Sequence, residues 1–470
     1  MNKHVRPGSK DLQVTIADII RQEITSYYWV FGMIYNTPPK MHPTGCSKQK
    51  YMNSTTLTPS PTPSVSFSPY QKLIVGLLAF LQFGIILDFM IIAPLGALIM
   101  PAMAITTKQF GVIVSAYAFS AGLSGLLVAG FADRYDRKKL LLVFYTGFIL
   151  STLWCGLADT FHMLLLARIV TGIFGGVIGS IVLAIATDLF PIQLRGRVMG
   201  LIQTAFGASQ VLGLPIGLYL SSRWDWHAPF LVMVIFGIVG GLIIAFKMRP
   251  VVDHLTVAHD RNAFLHLVDT IRDTRYIAAF ATTALLTTGG FMIMPFSTAF
   301  TVNNIGIKIE SLSTIYFITG IFAIIVGPMV GKAADALGKL PVFIAGSIVT
   351  SVMVLIYTHL TVVPLTTVIV VNVLLFVGIF SRLIPFQALV SAVPEQNKRG
   401  AFNAVGASIQ QFAGGFASVL AGHIVSFGAD GKLQHFPVVG YVVIATVIIS
   451  AILTWRIQQD LSKRIVREEN

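Results

Sequence analysis

Three charged side chains stand inside long apolar stretches of this sequence: Asp88, within Leu87-Asp88-Phe89-Met90, then Arg168 and Arg382. An ionised group at membrane depth costs at least about 2.5–3.5 kcal/mol, so each needs a counter-ion, a cavity or a ligand. A carboxylate so placed can carry a proton, because desolvation favours its neutral form and a neighbouring guanidinium its ionised form. A guanidinium can pair with that carboxylate or grip an anion through its planar fork of donors. Arg382 falls roughly 25 Å along its helix at 1.5 Å per residue. There it snorkels to water or pairs structurally, or else it contacts an anion. His423 stands at the rim of a stretch, where proton relay competes with simple contact at the interface.

Long helices must hold these residues. Apolar runs of roughly 20 residues, each long enough to cross about 30 Å of hydrocarbon, recur from Leu73 onward. The first set covers 73–100, 109–132, 138–158, 161–187, 197–221 and 229–247. The second covers 276–302, 311–334, 339–359, 365–392, 401–426 and 437–455. The expected fold class is an all-α polytopic membrane protein of about twelve transmembrane helices. Residues 72–247 form one six-helix bundle, 248–275 a central loop, 276–456 a second bundle, and 457–470 a tail. The loop has amphipathic helical spacing at Phe264, Leu265, Leu267, Val268 and Ile271, which suits either a surface helix or a solvated linker. Polar groups within the runs are candidates for a cavity wall: Gln82, Tyr117, Gln203, Gln210, Tyr316, Asn372, Gln410 and Gln411. Each competes with a plain helix–helix hydrogen bond.

Composition agrees. Charged residues make up 11% and hydrophobic ones 55% of 470. A soluble domain carries about 25% charge. The net charge of +13 does not point to nucleic acid. About 19 Lys/Arg fall on one side of the proposed membrane and about 4 on the other, which is the positive-inside bias. That side is cytoplasmic and holds both termini. The expected location is the cell inner (plasma) membrane. Residues 1–71 are polar and rich in Ser, Thr and Pro between Asn53 and Ser68, so they read as a disordered tail. A short surface helix over 16–34 is the one element expected there, and Met52 is a candidate start. No secretory signal is evident. Cys46 and Cys155 form no metal or redox spacing. There is no phosphate-binding glycine loop with lysine, no zinc motif and no nucleophile elbow. The chain is therefore expected to be no enzyme, to need no cofactor and to draw on no nucleotide for energy.

Two landmarks repeat at one offset. Ala129-Gly130-Phe131-Ala132-Asp133-Arg134-Tyr135-Asp136-Arg137-Lys138 is echoed by Gly331-Lys332-Ala333-Ala334-Asp335-Ala336-Leu337-Gly338-Lys339. Pro191 to Gly196 is echoed by Pro394 to Gly400. Each pair occupies matching places in the two sets of runs, which argues duplication. These residues resemble the major facilitator superfamily, whose loop after the second helix reads G-x-x-x-D-R-x-G-R-R/K. Asp133, Arg134, Arg137 and Lys138 match; Ala129 and Asp136 replace the glycines. The second copy keeps Gly331, Asp335, Gly338 and Lys339. Arg168 to Gly172 resembles the family's R-x-x-x-G element, and Trp224 to Phe230 its entry to the sixth helix. The antiporter motif of the fifth helix is matched only loosely, by Gly207, Gly213, Pro215 and Gly217.

The resemblance implies two pseudo-symmetric bundles, the MFS fold, with first and fourth helices lining a central cavity. Asp88 then lies roughly 16 Å and Arg168 roughly 10 Å from the outer side, close enough to face each other across it. They are the expected proton-coupling or substrate site. Asp133, Arg134, Arg137, Lys138, Asp335, Gly338 and Lys339 are the expected gate. The function implied is alternating access, with proton-coupled efflux of a small organic or amphipathic solute. The alternatives are uptake or exchange of a metabolite such as a sugar or organic acid, and a receptor that binds without transport. Protons, the solute and the bilayer are the expected partners, and the chain is expected to act as a monomer.

Overall fold

The computed structural model describes residues 67–128, 135–252, 263–395 and 398–469. Of the tail expected to be disordered over 1–71, residues 1–66 lie outside these residues, as do the helix over 16–34, Met52, Asp133 and Arg134, while Pro69–Gln71 already belong to the first helix.

With no water in the hydrocarbon to satisfy backbone groups, a chain this apolar folds into helices. The first starts at a capping box. Ser68 Oγ accepts from Gln71 N (3.2 Å), Gln71 Oε1 accepts from Ser68 N (2.9 Å), and Pro69 takes the first turn. This helix, α1 (Pro69–Ile91), stops before Pro94 and resumes as α2 (Gly96–Ala102). There follow α3 (Thr107–Val128), α4 (Arg137–Cys155) and α5 (Phe161–Leu189). The fifth crossing is α6 (Ile192–Ala208), a π turn at Ser209–Gly213 and α7 (Leu214–Arg223). Pro215 lacks an N–H and crowds the preceding turn, and the widened π segment accommodates it.

Next come α8 (Ala228–Lys247), the short α9 (Ala263–Arg272), α10 (Ile277–Asn303), α11 (Glu310–Leu337), α12 (Lys339–Thr358), α13 (Leu365–Val390), α14 (Arg399–Ile424) and α15 (Phe436–Glu469). The amphipathic loop segment is thus helical. Leu267 is buried beside Tyr276, Phe280 and Phe402, while Ile271 stays exposed. A hairpin of two-residue strands, β1 (Ser426–Phe427) and β2 (Leu433–Gln434), precedes α15.

Among the described residues, eleven helices are long and apolar enough to cross a membrane. The remaining long helix, α14, has 26 residues, enough for about 39 Å at 1.5 Å per residue. Gly, Ala, Ser and Gln dilute its hydropathy because it is an inner element wedged against α3 and α10. Lipid-facing apolar side chains abound elsewhere, as at Phe246, Ile235 and Met329. The chain is a multi-pass, all-α membrane protein.

One face of the molecule carries the basic helix ends, including Arg137, Lys138, Lys339 and Arg399. There the first repeated loop and the central connector touch. Arg137 N donates to Val251 O (3.2 Å), and Val251 N donates to Asp136 Oδ1 (3.0 Å).

Candidate functional site

The site begins with the way α5 lies against α3. Small residues let helix backbones approach closely. A Cβ on Gly172 would sit 2.5 Å from the Tyr117 carbonyl oxygen, and one on Gly175 2.4 Å from the Tyr117 hydroxyl. Glycine at both positions seats the Tyr117 ring between the helices. Above that ring stands Arg168, its guanidinium carbon 4.6 Å from the centroid.

Arg168 Nη1 donates to Asp88 Oδ2 at 2.8 Å, and both side chains are fully buried. Thr152 Oγ1 of α4 donates to the other carboxylate oxygen at 3.4 Å. Thr171 Oγ1 and Cys155 Sγ, 3.6 Å apart, close the same pocket. Among the described residues, Arg168 Nε and Nη2 have no hydrogen-bond partner. The pair does meet, but not across an open cavity. Phe89 and Met90 line the central chamber, whereas Asp88, one helical step away, turns into the bundle toward α4 and α5. Tyr117 stands between the pair and the chamber, since it lines one lobe and stacks on Arg168. Tyr117 also contacts Phe89 (5.1 Å), and Phe89 contacts Phe291 of α10 (5.5 Å). A chain of rings thus runs from the ion pair to the second half.

Three adjoining cavities make the chamber, of about 290, 430 and 260 Å³. Gln82, Tyr117, Gln203 and Gln411 line the first, and Gln410 and Gln411 the second. Gln210, Tyr316, Asn372 and Arg382 line the third. The structure therefore brings all eight polar candidates, and Arg382 with them, to chamber walls. Arg382 does not snorkel: it is 4% exposed, and its Nη2 donates to Ser450 Oγ at 2.8 Å.

Away from the basic face the halves are sealed. Thr107 Oγ1 of α3 donates to Val425 O (2.7 Å) beyond α14. A Cβ on Gly111 would lie 2.7 Å from Ser418 O, and one on Gly96 3.0 Å from Pro295 O. Gly320 of α11 abuts Val211 just as tightly. Toward the basic face a Cβ at Gly196, Gly200, Gly400 or Gly406 would meet nothing within 4 Å. The chamber extends that way, past Leu183, Gln203, Ala404 and Ala407 near the basic ends of their helices.

At the basic face, Arg137 Nε pairs with Asp188 Oδ2 at 3.1 Å, tying the start of α4 to the end of α5. Asp136, where the resemblance leads one to expect glycine, caps α4 by accepting from Lys138 N (2.9 Å). Lys138 Nζ donates to Ala245 O at the C-terminal end of α8 (2.9 Å), where the helix dipole favours a cation. Its echo, Lys339 Nζ, donates to Ala388 O near the end of α13 (3.4 Å). Gly338 takes φ +95°, the left-handed turn between α11 and α12. Asp335 is exposed and makes no ion pair among the described residues. At the opposite face, His423 is exposed, with Nδ1 2.9 Å from Val419 O. His227 bridges Asp225 (2.6 Å) and Ala158 O (3.2 Å), so the Trp224 to Phe230 stretch clasps the loop between α4 and α5.

Sequence reasoning missed Thr152, Thr171, Asp188 and Ser450. The only signal for them was a small polar residue inside, or an acid just beyond, an apolar run.

The Major Facilitator Superfamily model matches residues 78–419. An MFS-type transporter of Bacillus subtilis strain 168, YceJ, is 35% identical over 162 residues, which is 34% of this chain and 41% of that protein. Multidrug resistance protein 3 of the same strain is 28% identical over 198 residues, 41% of this chain and 39% of that protein. These matches span less than half the length of either relative. The crystal structure of a bacterial homologue of the human lysosomal transporter Spinster, inward-facing and unoccupied, superposes with a TM-score of 0.66 at 16% identity. It covers 85% of this chain and 99% of that one, a likeness of fold. With the helices, the repeated loops and the match over most of its length in agreement, the chain belongs to the Major Facilitator Superfamily.

Proposed function

We propose that this protein is a secondary transporter working by alternating access, and that it exports a small amphipathic solute in exchange for protons. The observation that carries the reading is the Asp88–Arg168 pair, a fully buried carboxylate and guanidinium beside a chamber that extends toward one face and is sealed at the other. Such a pair is expensive to bury and is best explained by a job that uses its charge.

In the present conformation the pair is closed to water on both sides. Parting of α3 from α14 and of α2 from α10 admits water from the sealed face. Asp88 then takes a proton, loses its charge and slackens its hold on Arg168. Tyr117 stacks on that guanidinium and touches Phe89, which touches Phe291, so the change is felt where the halves meet. Arg137 with Asp188 braces the basic face, and Asp133, Arg134, Lys138, Asp335, Gly338 and Lys339 complete the gate on that side. The positive-inside bias assigns the basic face, and with it both termini, to the cytoplasm of a plasma-membrane protein. The chamber lies within one chain, so a monomer suffices. The relative named for multidrug resistance fits an exporter with an apolar, adaptable chamber.

The test is transport in proteoliposomes with a panel of fluorescent organic solutes and an imposed pH gradient. Uptake into inverted vesicles that collapses with an uncoupler is the expected result. Transport indifferent to the uncoupler overturns coupling, and binding without counterflow overturns transport itself.

A further inference from the structure

Among the described residues three arginines are buried, and unlike Arg137 and Arg168, which pair with Asp188 and Asp88, Arg382 has no carboxylate. It sits on α13, 4% exposed, over the Phe343 ring of α12 at 5.7 Å. Among the described residues its one hydrogen bond goes to Ser450 Oγ on α15, and Nε has no partner. No acidic side chain lines the 260 Å³ cavity it faces, and among the described residues none pairs with it. A full positive charge with spare donors therefore looks into a chamber walled by Phe291, Met294 and Phe376. Asn372, ten residues earlier on α13, marks the other end of the cavity, roughly 15 Å away at 1.5 Å per residue.

An uncompensated buried charge is strongly unfavourable unless something supplies the missing counter-charge. The cavity offers room for an apolar body beside the guanidinium. We infer that Arg382 is the head-group anchor of a substrate site for organic monoanions, a carboxylate on an aromatic or aliphatic body that lies along the Phe291–Phe376 wall.

As a substrate site this rests on the transport reading, but its test measures binding without a gradient. The probes are 2-naphthoate, its neutral isostere 2-naphthamide and the cation 2-naphthylmethylammonium. Each is titrated calorimetrically into the full-length chain in a neutral detergent. A charge-assisted hydrogen bond makes naphthoate bind roughly tenfold tighter than the amide or the cation. Arg382→Gln brings naphthoate to within about twofold of the amide, a loss of that one contact, and Arg382→Lys keeps part of the preference. In the unmutated chain, naphthoate but not naphthamide protects Arg382 from phenylglyoxal, which gives an answer even if the Gln variant does not fold. Equal binding of acid and amide, no saturable binding of naphthoate, or unchanged preference in Arg382→Gln overturns the anion site. A chain that prefers naphthoate yet ignores the pH gradient overturns proton coupling and leaves the anion site standing.

Discussion

Asp88 and Arg168 meet at 2.8 Å on neighbouring helices with neither side chain reaching solvent. Removing two ions from water costs several kcal/mol each, and their attraction offsets this fully only when every remaining donor and acceptor is satisfied. Here Thr152 serves the second carboxylate oxygen at a long 3.4 Å, and among the described residues two guanidinium nitrogens go without a partner. The Tyr117 ring face partly compensates. The pair thus hangs on one strong bond that a single proton on Asp88 weakens.

Asp88→Asn keeps the shape and removes the titration. It is expected to insert in the membrane normally, to retain solute counterflow, and to lose all acceleration by a pH gradient. The measurement is gradient-driven uptake beside zero-gradient exchange in the same proteoliposomes. A persistent response to the gradient removes Asp88 from the coupling step.

The same pair makes a stability prediction of opposite sign for single and double changes. Arg168→Met alone strands the Asp88 carboxylate in a dry interior and is expected to destabilise the fold by about 3–5 kcal/mol. Asp88→Leu combined with Arg168→Met replaces both ions with apolar groups and is expected to be neutral or stabilising, while transport stays dead. Thermal unfolding of detergent-solubilised variants reads this directly. A double variant as unstable as the single shows that packing, and not charge, holds this corner.

Much of this was legible beforehand, for physical reasons. Helix positions followed from apolar run length, since the bilayer fixes how long a crossing must be. Asp88 and Arg168 stood out because charge is rare at that depth. Their precise facing did not: a span argument gives depth along a helix and not rotation about it, so Asp88 was expected at the cavity and instead turns away from it. For Arg382 depth alone left snorkelling, structural pairing and anion contact open, and only the rotation of its helix brings Nη2 to Ser450. The partners Thr152, Thr171 and Ser450 are hydroxyls that equally bond their own helix, and nothing local distinguishes the two uses. The Arg137–Asp188 pair joins residues 51 apart and depends on tertiary packing.

At the basic face, Arg275 bonds both oxygens of Asp273 and also reaches Glu395, tying the start of α10 to the turn before α14. Those bonds hold the Asp273 carboxyl down at about 2, below its ordinary 3.8. A group whose affinity for protons falls on folding stabilises the fold above its unfolded value and stops doing so as pH falls through the folded one. Asp273→Asn is therefore expected to lower the unfolding temperature at neutral pH, with the gap to the parent closing as pH drops from about 4 toward 2. A gap that stays constant across that window assigns the effect to shape and not to charge.

The last prediction concerns the seal. Gly111 lies so close to α14 that a Cβ would stand 2.7 Å from Ser418 O, and Gly422 on the facing helix is held 2.7 Å from Thr107 O in the same sense. Backbone cannot yield as a flexible side chain can, so α3 and α14 reach this distance only with glycine at the contact. Gly111→Val forces the helices apart at this face and leaves the basic end of the chamber untouched. In a two-state transporter, penalising one state shifts population to the other. The variant is expected to favour the conformation open at the now sealed face. The readout is a Ser418→Cys reporter: an impermeant maleimide applied from that face labels it slowly in the parent and several-fold faster with Gly111→Val, a shift of roughly 1 kcal/mol or more in the equilibrium. Gly111→Ala, with one methyl, gives a smaller change of the same sign. Equal labelling in all three backgrounds means that the α3–α14 contact is not what closes this face, and the seal must then rest on the α2–α10 and α7–α11 contacts alone.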